Sequence, residues 1–439
     1  MRNLSLCCFC LALAPCVAFG QLSQGNGALT AAVEAYSQGH YREAEVLFIE
    51  AEKEAESLGS SNHRLALVLN DQGVLYQREA KYGEAERVFR QALEIWASQA
   101  APKTLSVAAT LNNLASLYAY QGRYAEAEPL YRHCLALQEG ILGPEDREVA
   151  NTLNNLGEFY WEQGKPAEAE PLYHRALAIE EKRLRPSDPQ LAASLNNLAT
   201  LYMRQGRYPE SESLYKRSLS IRQAALGPEH PDVANSVNNL ATLYSAQGRY
   251  AEAEPLYLRS LSMAEKLLGP DHPDVACGLN NLAQLYCSEK KYAEAEPLLR
   301  RALTIREKAL GPDNPLLAQS LGSLAKVLLL ESPQINVDLL YLRALVIVKK
   351  VYGPESSQAA GTLNGLAAAY ALEGKFSEAE QAYADELTIL TKQPKPDAPA
   401  LATAYFDLAS LYGREGKHRK AKKMAQKAKA IRERQELPS

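Results

Sequence analysis

Asparagine side chains recur in this sequence with a spacing that could support peptide binding. One asparagine returns every 42 residues, at Asn112, Asn154, Asn196, Asn238 and Asn280. A second column returns at the same interval, at Ser116, Glu158, Thr200, Thr242 and Gln284. Because an amide carries both a donor and an acceptor, a ladder of amides can match the N–H and C=O groups of an extended backbone. We predict that these ten residues line a peptide-binding groove.

A structural role for the same asparagines is the alternative interpretation. The amides could instead satisfy loop carbonyls or tie neighbouring helices together. Five hydrogen bonds at a net of about 1 kcal/mol each give roughly 5 kcal/mol, whereas micromolar binding needs about 8 kcal/mol. Other wall positions must therefore add affinity to a groove, and the candidates are Tyr120, Trp161, Met203 and Arg204.

Patterns typical of catalysis or metal binding do not occur in the sequence. The seven histidines are dispersed, without an HExxH motif or a comparable cluster of ligands. No glycine-rich phosphate loop and no serine nucleophile elbow is present. Glutamates such as Glu126 and Glu128 recur with the period, as exposed helix faces do. We expect a protein that is not an enzyme and that holds neither a metal nor a cofactor.

The elements that position the asparagines are predicted to be paired helices. Leu195, Leu198 and Tyr202 follow one another at spacings of three and four, which places them on one apolar stripe of an α-helix, helix A. A step of 100° per residue puts Asn196 on the opposite side. The glycine of QGRY (Gln205 to Tyr208) then ends helix A, and helix B follows.

This pattern resembles the tetratricopeptide repeat, in the 42-residue form found in kinesin light chains. The matching segments are NNLA with its tyrosine (Asn112 to Ala115 and Tyr118), QGRY (Gln121 to Tyr124), AEAEPLY (Ala125 to Tyr131) and LGPEHPDVA (Leu226 to Ala234). The resemblance covers roughly residues 28–434 in ten helix pairs. It implies an all-α fold, an α-solenoid wound as a right-handed superhelix, whose A helices line a concave wall used for binding proteins.

The repeat predicts one solenoid over residues 21–434, followed by a tail at 435–439. The first pair (28–59) and the last pair (400–434) are expected to cap the stack. The eighth pair, near 321–352, is degenerate, because LGSLAKVLLL (Leu321 to Leu330) has neither asparagine. The final helix carries nine Lys/Arg from Lys417 to Arg434. It could contact an acidic partner or a membrane surface, or it could be a solvated cap.

The N-terminus has the composition of a secretory signal. Arg2 precedes an apolar run from Leu4 to Phe19, and small residues precede a predicted cleavage site before Gln21. An uncleaved membrane anchor is the alternative, although the run is shorter than the roughly 20 residues that span a bilayer. We expect residues 1–20 to be a signal peptide and the mature protein to be periplasmic or secreted, with no membrane span.

Cysteine usage and charge exclude several further classes. Four of the seven cysteines lie in the predicted signal, and the remaining three, Cys134, Cys277 and Cys287, suit neither a disulfide framework nor a zinc site. Cys134 takes a slot that is alanine or serine in other units, so we expect a small packed residue. A net charge of −4 argues against nucleic-acid binding.

Together these features predict a non-catalytic scaffold whose partner is a protein or peptide. It would bind an extended peptide or a partner tail on the asparagine-bearing A helices. The alternative is a self-associating structural protein of the cell envelope, a homo-oligomer without a peptide ligand, in which the apolar run Leu328 to Leu330 forms a contact or else belongs to the core. The heptad coiled coil of kinesin light chains has no counterpart here, so motor adaptor work is not implied.

Overall fold

The computed structural model describes residues 27–59, 62–98, 104–332, 335–393 and 398–436, with side chains described up to 433. Within these ranges the chain forms twenty α-helices and no β-strand, which confirms the predicted all-α class. In chain order the helices are α1 (Gly27–Ser37), α2 (Tyr41–Ser57), α3 (His63–Arg78), α4 (Tyr82–Ala97), α5 (Leu105–Tyr120), α6 (Tyr124–Leu142), α7 (Arg147–Glu162), α8 (Pro166–Arg183), α9 (Pro189–Arg204), α10 (Tyr208–Leu226), α11 (Pro231–Ala246), α12 (Tyr250–Leu268), α13 (Pro273–Ser288), α14 (Tyr292–Leu310), α15 (Pro315–Glu331), α16 (Asp338–Tyr352), α17 (Ser357–Leu372), α18 (Phe376–Lys392), α19 (Ala398–Arg414) and α20 (His418–Glu436).

Odd-numbered helices are the A helices and even-numbered helices are the B helices of ten successive pairs. Two compact units divide the chain, Met1–Leu285 and Tyr286–Ser439, so that α13 begins in the first unit and ends in the second. Inside each unit an A helix packs on its own B helix, and that B helix packs on the next A helix. The predicted signal at residues 1–20 lies outside the described residues. None of the described helices is long and apolar enough to cross a membrane.

The predicted apolar stripe of helix A is the core of each pair. In α9, Leu195 is 0% exposed, Leu198 is 2% exposed and Tyr202 is 6% exposed. Cys134 is fully buried in the third pair, where it packs with Ala108 and Leu111 as a small core residue. The 3.6-residue period of the sequence therefore identifies the packed face correctly.

Glycine turns join most A helices to their B helices, as the QGRY motif predicts. Gly206 follows α9 with φ +77°, and the next N–H, that of Arg207, bonds back to the Tyr202 carbonyl at 2.8 Å. Two turns reach the same left-handed conformation without glycine, at Ala80 with φ +60° and Lys290 with φ +64°. A side chain in this region costs roughly 1–2 kcal/mol, so these two turns are strained.

The first unit also contains a contact between residues 196 positions apart. At the end of α3, Arg78 donates from Nη2 to Asp274 Oδ1 at 3.4 Å and from Nε to the Tyr41 hydroxyl at 3.2 Å. Burial raises the pKa of Asp274 in spite of the nearby guanidinium. Beside it, His272 is only 8% exposed, and a Cβ placed on Gly39 would lie 2.9 Å from its ring. The beginning of this unit thus packs against its end.

The second unit contains the degenerate eighth pair, α15 and α16. Leu328 and Leu329 are buried, whereas Leu330 is 48% exposed, so two of the three leucines in the predicted contact belong to the core. Lys417, directly before α20, and Lys420 on it pair with Glu380 of α18 at 3.2 and 3.1 Å. These two lysines of the basic helix therefore tie the last helix to the unit.

Candidate peptide-binding face of the first unit

The lengths of the side chains that bridge neighbouring helices show which helices of the first unit lie on the inside of its curve. Short amides bridge successive A helices, as where Asn155 Nδ2 donates to Asn112 Oδ1 at 3.0 Å. Successive B helices are bridged instead by long charged side chains, such as Arg217 to Glu181 at 2.7 Å. Because the A helices are closer together than the B helices, the A-helix face is the inner, concave side of this unit.

The predicted asparagine column lies at the contacts between A helices. Asn112 is 6% exposed, and Asn154 and Asn196 are each 7% exposed, while Asn238 and Asn280 are half-buried. Three bridges join the first asparagine of one pair to the second position of the next pair, each at 3.0 Å: Asn113 to Asn70, Asn155 to Asn112, and Asn281 to Asn238. The structure thus gives several of these amides the helix-tying contacts of the alternative interpretation, while peptide contact stays a prediction.

The amide ladder is open in the middle of the unit. Asn154 donates to Ser194 Oγ at 2.6 Å instead, and its Oδ1 accepts no hydrogen bond from any described residue. The buried Oδ1 of Asn196 has no donor among those residues either. The half-buried Asn197 and Asn239, which would supply the two missing bridges, form no hydrogen bond within the described part of the chain. Pairs four to six therefore keep unused amide groups on or beside the inner face.

The second predicted column stands beside this ladder. Four of its five residues are half-buried, and the fifth, Thr242, is buried with 9% of its surface exposed. Thr200 and Thr242 share hydrogen bonds with tyrosines of their own B helices, Tyr215 at 2.7 Å and Tyr257 at 3.0 Å. Ser116 is bonded by Gln77 Nε2 at 3.4 Å, across to the preceding A helix. These hydroxyls are therefore partly committed to packing, and they present only part of their surface.

The fourth pair replaces the hydroxyl of this column with the carboxyl of Glu158. Gly157 precedes it where most other pairs have alanine. A Cβ there would lie 2.8 Å from the Tyr173 ring, so only glycine fits without a shift. Burial, with the charge of Glu162 adding to it, raises the pKa of Glu158 to about 8. Burial also raises the pKa of Glu162. On the same helix, the Trp161 ring lies 5.5 Å from the guanidinium of Arg204.

One repeated cluster escaped the sequence interpretation. The arginine of QGRY stacks on the tyrosine of helix A, with Arg207 3.6 Å from the centroid of Tyr202. The same guanidinium bonds Glu170 of the preceding B helix at 2.8 Å and Glu210 at 3.0 Å. Arg123 and Glu86 repeat this pair at the same sequence separation as Arg207 and Glu170. That repeated separation could have revealed the cluster from the sequence. Glu126 likewise pairs with an arginine in this cluster, so it is not a freely solvated charge.

The fold and this face define a helical-hairpin repeat protein with a polar inner surface. The profile of the tetratricopeptide repeat family matches residues 106–182, 190–266, 233–308, 274–332 and 358–434, which together make up more than half of the chain. The protein belongs to the tetratricopeptide repeat family, and the predicted resemblance is confirmed. Proteins of this family are generally non-catalytic scaffolds with protein partners.

Solved structures with similar folds share less than a third of their residues with this chain. A kinesin light chain of nearly identical TPR-like repeats from Podosopora anserina is 29% identical, covering 48% of this chain and 98% of its own, with a TM-score of 0.39. A STAND-class signal transduction ATPase with a tetratricopeptide repeat sensor from Pyrococcus horikoshii is 15% identical, covering 79% and 52%, with a TM-score of 0.53. A Rap protein complexed with competence and sporulation factor is 14% identical, covering 84% and 98%, with a TM-score of 0.51. Among curated proteins, none matches the sequence.

No group of three or more histidine, cysteine, aspartate or glutamate side chains in the described ranges is arranged to hold a metal ion. Cys134 and Cys277 are buried thiols, and Cys287 is partly buried. Burial raises the pKa of the Cys134 thiol to about 11. At neutral pH this thiol is protonated, which suits a packing role and not a nucleophile.

Proposed function

We propose that the protein is a non-catalytic scaffold that holds an extended peptide or partner tail on the inner face of its first unit. The observation that carries this proposal is the open section of the amide ladder. In pairs four to six the amides of Asn197 and Asn239 are half-buried and unbonded among the described residues, beside the unsatisfied Oδ1 atoms of Asn154 and Asn196. A buried polar group without a partner costs free energy, so a peptide backbone that bonds these groups would recover it.

The experiment is selection from a displayed random peptide library on the wild-type protein and on Asn197→Ala/Asn239→Ala. These two amides make no bridge, so their loss leaves the helix contacts intact. We expect enrichment to fall about thirtyfold, since two hydrogen bonds at about 1 kcal/mol each are removed. The matched control is Ser220→Ala/Ser262→Ala, which removes two exposed hydroxyls from B helices of the same two pairs. Equal enrichment on both variants and the wild type would refute peptide binding by the ladder.

Export is part of the proposal and has its own test. The charged start, apolar run and small residues of 1–20 support a scaffold that works in the periplasm or outside the cell. Expressed with its leader in a bacterial host, the protein should appear in the periplasmic or secreted fraction with a mature N-terminus at Gln21. Retention of residues 1–20 in a cytoplasmic fraction would contradict export.

Self-association is the second candidate, and an apolar stripe on α16 favours it. Leu339 is 74% exposed, Val346 is 65% exposed and Leu342 is 37% exposed, and their spacing places them on one helix face. In the preceding pair the matching positions hold Pro297, Arg300 and Thr304. An apolar stripe of this kind is typical of an interface between proteins.

A second copy of this chain is the occupant we propose for this stripe. The terminal charges of α16 do not contribute, because Asp338 pairs with Lys375 and Lys350 pairs with Asp313 within the chain. Light scattering should show a dimer for the wild type and a monomer for Leu339→Asp/Val346→Asp. The control is Val46→Asp on α2, where an equally exposed valine stands at 65%. A monomeric wild type would remove this candidate.

A further inference from the structure

Two carboxylates on the inner face of the fourth pair lack the partners that other acidic side chains have. Glu158 and Glu162 are four residues apart on α7 and therefore share one face of the helix. Neither forms a hydrogen bond or an ion pair with any residue that the structure describes. On the neighbouring outer helix, by contrast, Glu128 is bonded by Arg132 at 2.7 Å and by the Tyr160 hydroxyl at 2.9 Å.

The groups next to these carboxylates are also short of donors. Asn154 lies one helical turn before Glu158, and its Oδ1 accepts nothing although the side chain is only 7% exposed. Asn196 stands at the matching position of the next A helix with the same exposure and the same unsatisfied Oδ1. These amide oxygens and the two carboxylates are all acceptors, so the local demand is for a ligand rich in N–H donors.

Above the raised pKa of Glu158, where both carboxyls are ionised, the charge balance of this patch is negative. Arg204 is the cation that acts on both Glu158 and Glu162, and one guanidinium cannot neutralise two carboxylates. Arg204 is itself placed over the Trp161 ring at 5.5 Å, which shows that this wall accommodates a cation against an aromatic face. Only two carboxylates meet here, and in the described ranges no group of three or more histidine, cysteine, aspartate or glutamate side chains is arranged to hold a metal ion.

We infer that the patch formed by Glu158, Glu162, Asn154 and Asn196 is a subsite for a cationic side chain, a lysine or arginine of the bound peptide. This inference rests on the proposed peptide-binding function and specifies which peptides it selects. An ammonium or guanidinium brings both the missing positive charge and several N–H donors. Glutamine in the same place supplies fewer donors and no charge, and glutamate adds a third negative charge. The subsite therefore sets a preference among peptides that share one backbone.

The test uses three labelled peptides of alternating alanine and serine that differ only in a central Lys-Lys, Gln-Gln or Glu-Glu. At about pH 9, where both carboxyls are ionised and lysine keeps its charge, fluorescence anisotropy should give a dissociation constant for the Lys-Lys peptide about tenfold below that for Gln-Gln, as expected for charge-assisted hydrogen bonds. The Glu-Glu peptide should bind most weakly. The Lys-Lys preference should vanish in Glu158→Gln/Glu162→Gln, which preserves side-chain shape, while Gln-Gln affinity stays the same.

The control variant is Glu84→Gln/Glu168→Gln, which removes the same charge from two exposed acidic residues in the first turns of α4 and α8. It should keep the full Lys-Lys preference. If Lys-Lys and Gln-Gln bind equally to the wild type, and both weaken in Asn197→Ala/Asn239→Ala, the groove stands and the cation subsite is wrong. A preference that survives Glu158→Gln/Glu162→Gln also overturns the subsite. If no peptide binds the wild type, the proposed function fails together with the subsite.

Discussion

Asn155 Nδ2 lies 3.0 Å from Asn112 Oδ1, across the contact between two successive A helices. The two residues are 43 positions apart, one more than the repeat, so the second asparagine of an NN motif can meet the first asparagine of the preceding helix pair. This offset makes the double asparagine a connector between helix pairs as well as a polar surface. Where the bridge is absent, in pairs four to six, the same residues keep unused hydrogen-bonding groups.

Removing a bridging asparagine should destabilise the fold, whereas removing an unbridged one should not. Asn112→Ala leaves the half-buried Asn155 amide without its acceptor, and we expect a loss of about 1–2 kcal/mol in the free energy of unfolding. Asn197→Ala breaks no hydrogen bond among the described residues and should stay within about 0.5 kcal/mol of the wild type. Urea unfolding followed by circular dichroism measures both. Similar losses in the two variants would show that the bridge has no special role.

Alanine at Gly73 should destabilise the protein although alanine favours helices. A Cβ at this position of α3 would lie 2.5 Å from the ring of the fully buried Phe89, so the core must shift. Overpacking of this kind costs about 1–3 kcal/mol, more than the roughly 1 kcal/mol gained in helix propensity. Gly140→Ala is the matched control, since nothing lies within 4 Å of the added Cβ. The two thermal midpoints should move in opposite directions, and a stabilised Gly73→Ala would contradict the packing seen here.

Glycine at Ala80 should stabilise the second pair. Ala80 follows α3 with φ +60°, where L side chains are strained, and the corresponding turn of the next pair has Gly122 at φ +75°. Replacing Ala80 with glycine relieves roughly 1 kcal/mol of that strain, partly offset by the greater freedom of glycine in the unfolded chain. Thermal unfolding should show a higher midpoint for Ala80→Gly and a lower one for Gly122→Ala. A lower midpoint for Ala80→Gly would mean that the turn is unstrained.

Affinity for the Lys-Lys peptide should rise with pH. The pKa of Glu158 is raised to about 8 by burial and by the charge of Glu162, and Arg204 only partly opposes this shift. Tyr131 and Tyr173 also lie near these carboxyls. A bound ammonium favours the ionised carboxylate, so the complex has the lower pKa. Affinity therefore increases as pH rises toward about 8 and then levels off, by about tenfold for each pKa unit that binding removes.

Anisotropy titrations from about pH 6 to about pH 9 would measure this dependence, because lysine keeps its charge throughout that range. The Glu158→Gln variant should lose most of the slope, and the Gln-Gln peptide should show little slope with the wild type. A flat pH profile for Lys-Lys binding to the wild type would show that Glu158 does not interact with the bound cation.

Sequence periodicity predicted the helices and their packed faces because local and repeated interactions create both. Leu195 and Leu198 lie in the core as the spacing indicates, and Gly206 ends its helix as QGRY indicates. The site was harder to predict, since an angle of 100° per residue identifies a side of the helix but not what occupies that side. Asn196 was assigned to an open groove, and the neighbouring helices leave it only 7% exposed.

The sequence by itself determined the tetratricopeptide class, the ten pairs and the register of every repeat, because these follow from the apolar spacing and the turn residues within one helix pair. Only the tertiary structure decided which asparagines bridge and which stay unused, since identical motifs find different partners: Asn112 accepts from Asn155, whereas Asn154 donates to Ser194. It also brought Arg78 to Asp274 at 3.4 Å, a contact set by curvature accumulated over several pairs. Small rotations between successive helix pairs add along the chain, and no single repeat encodes their sum.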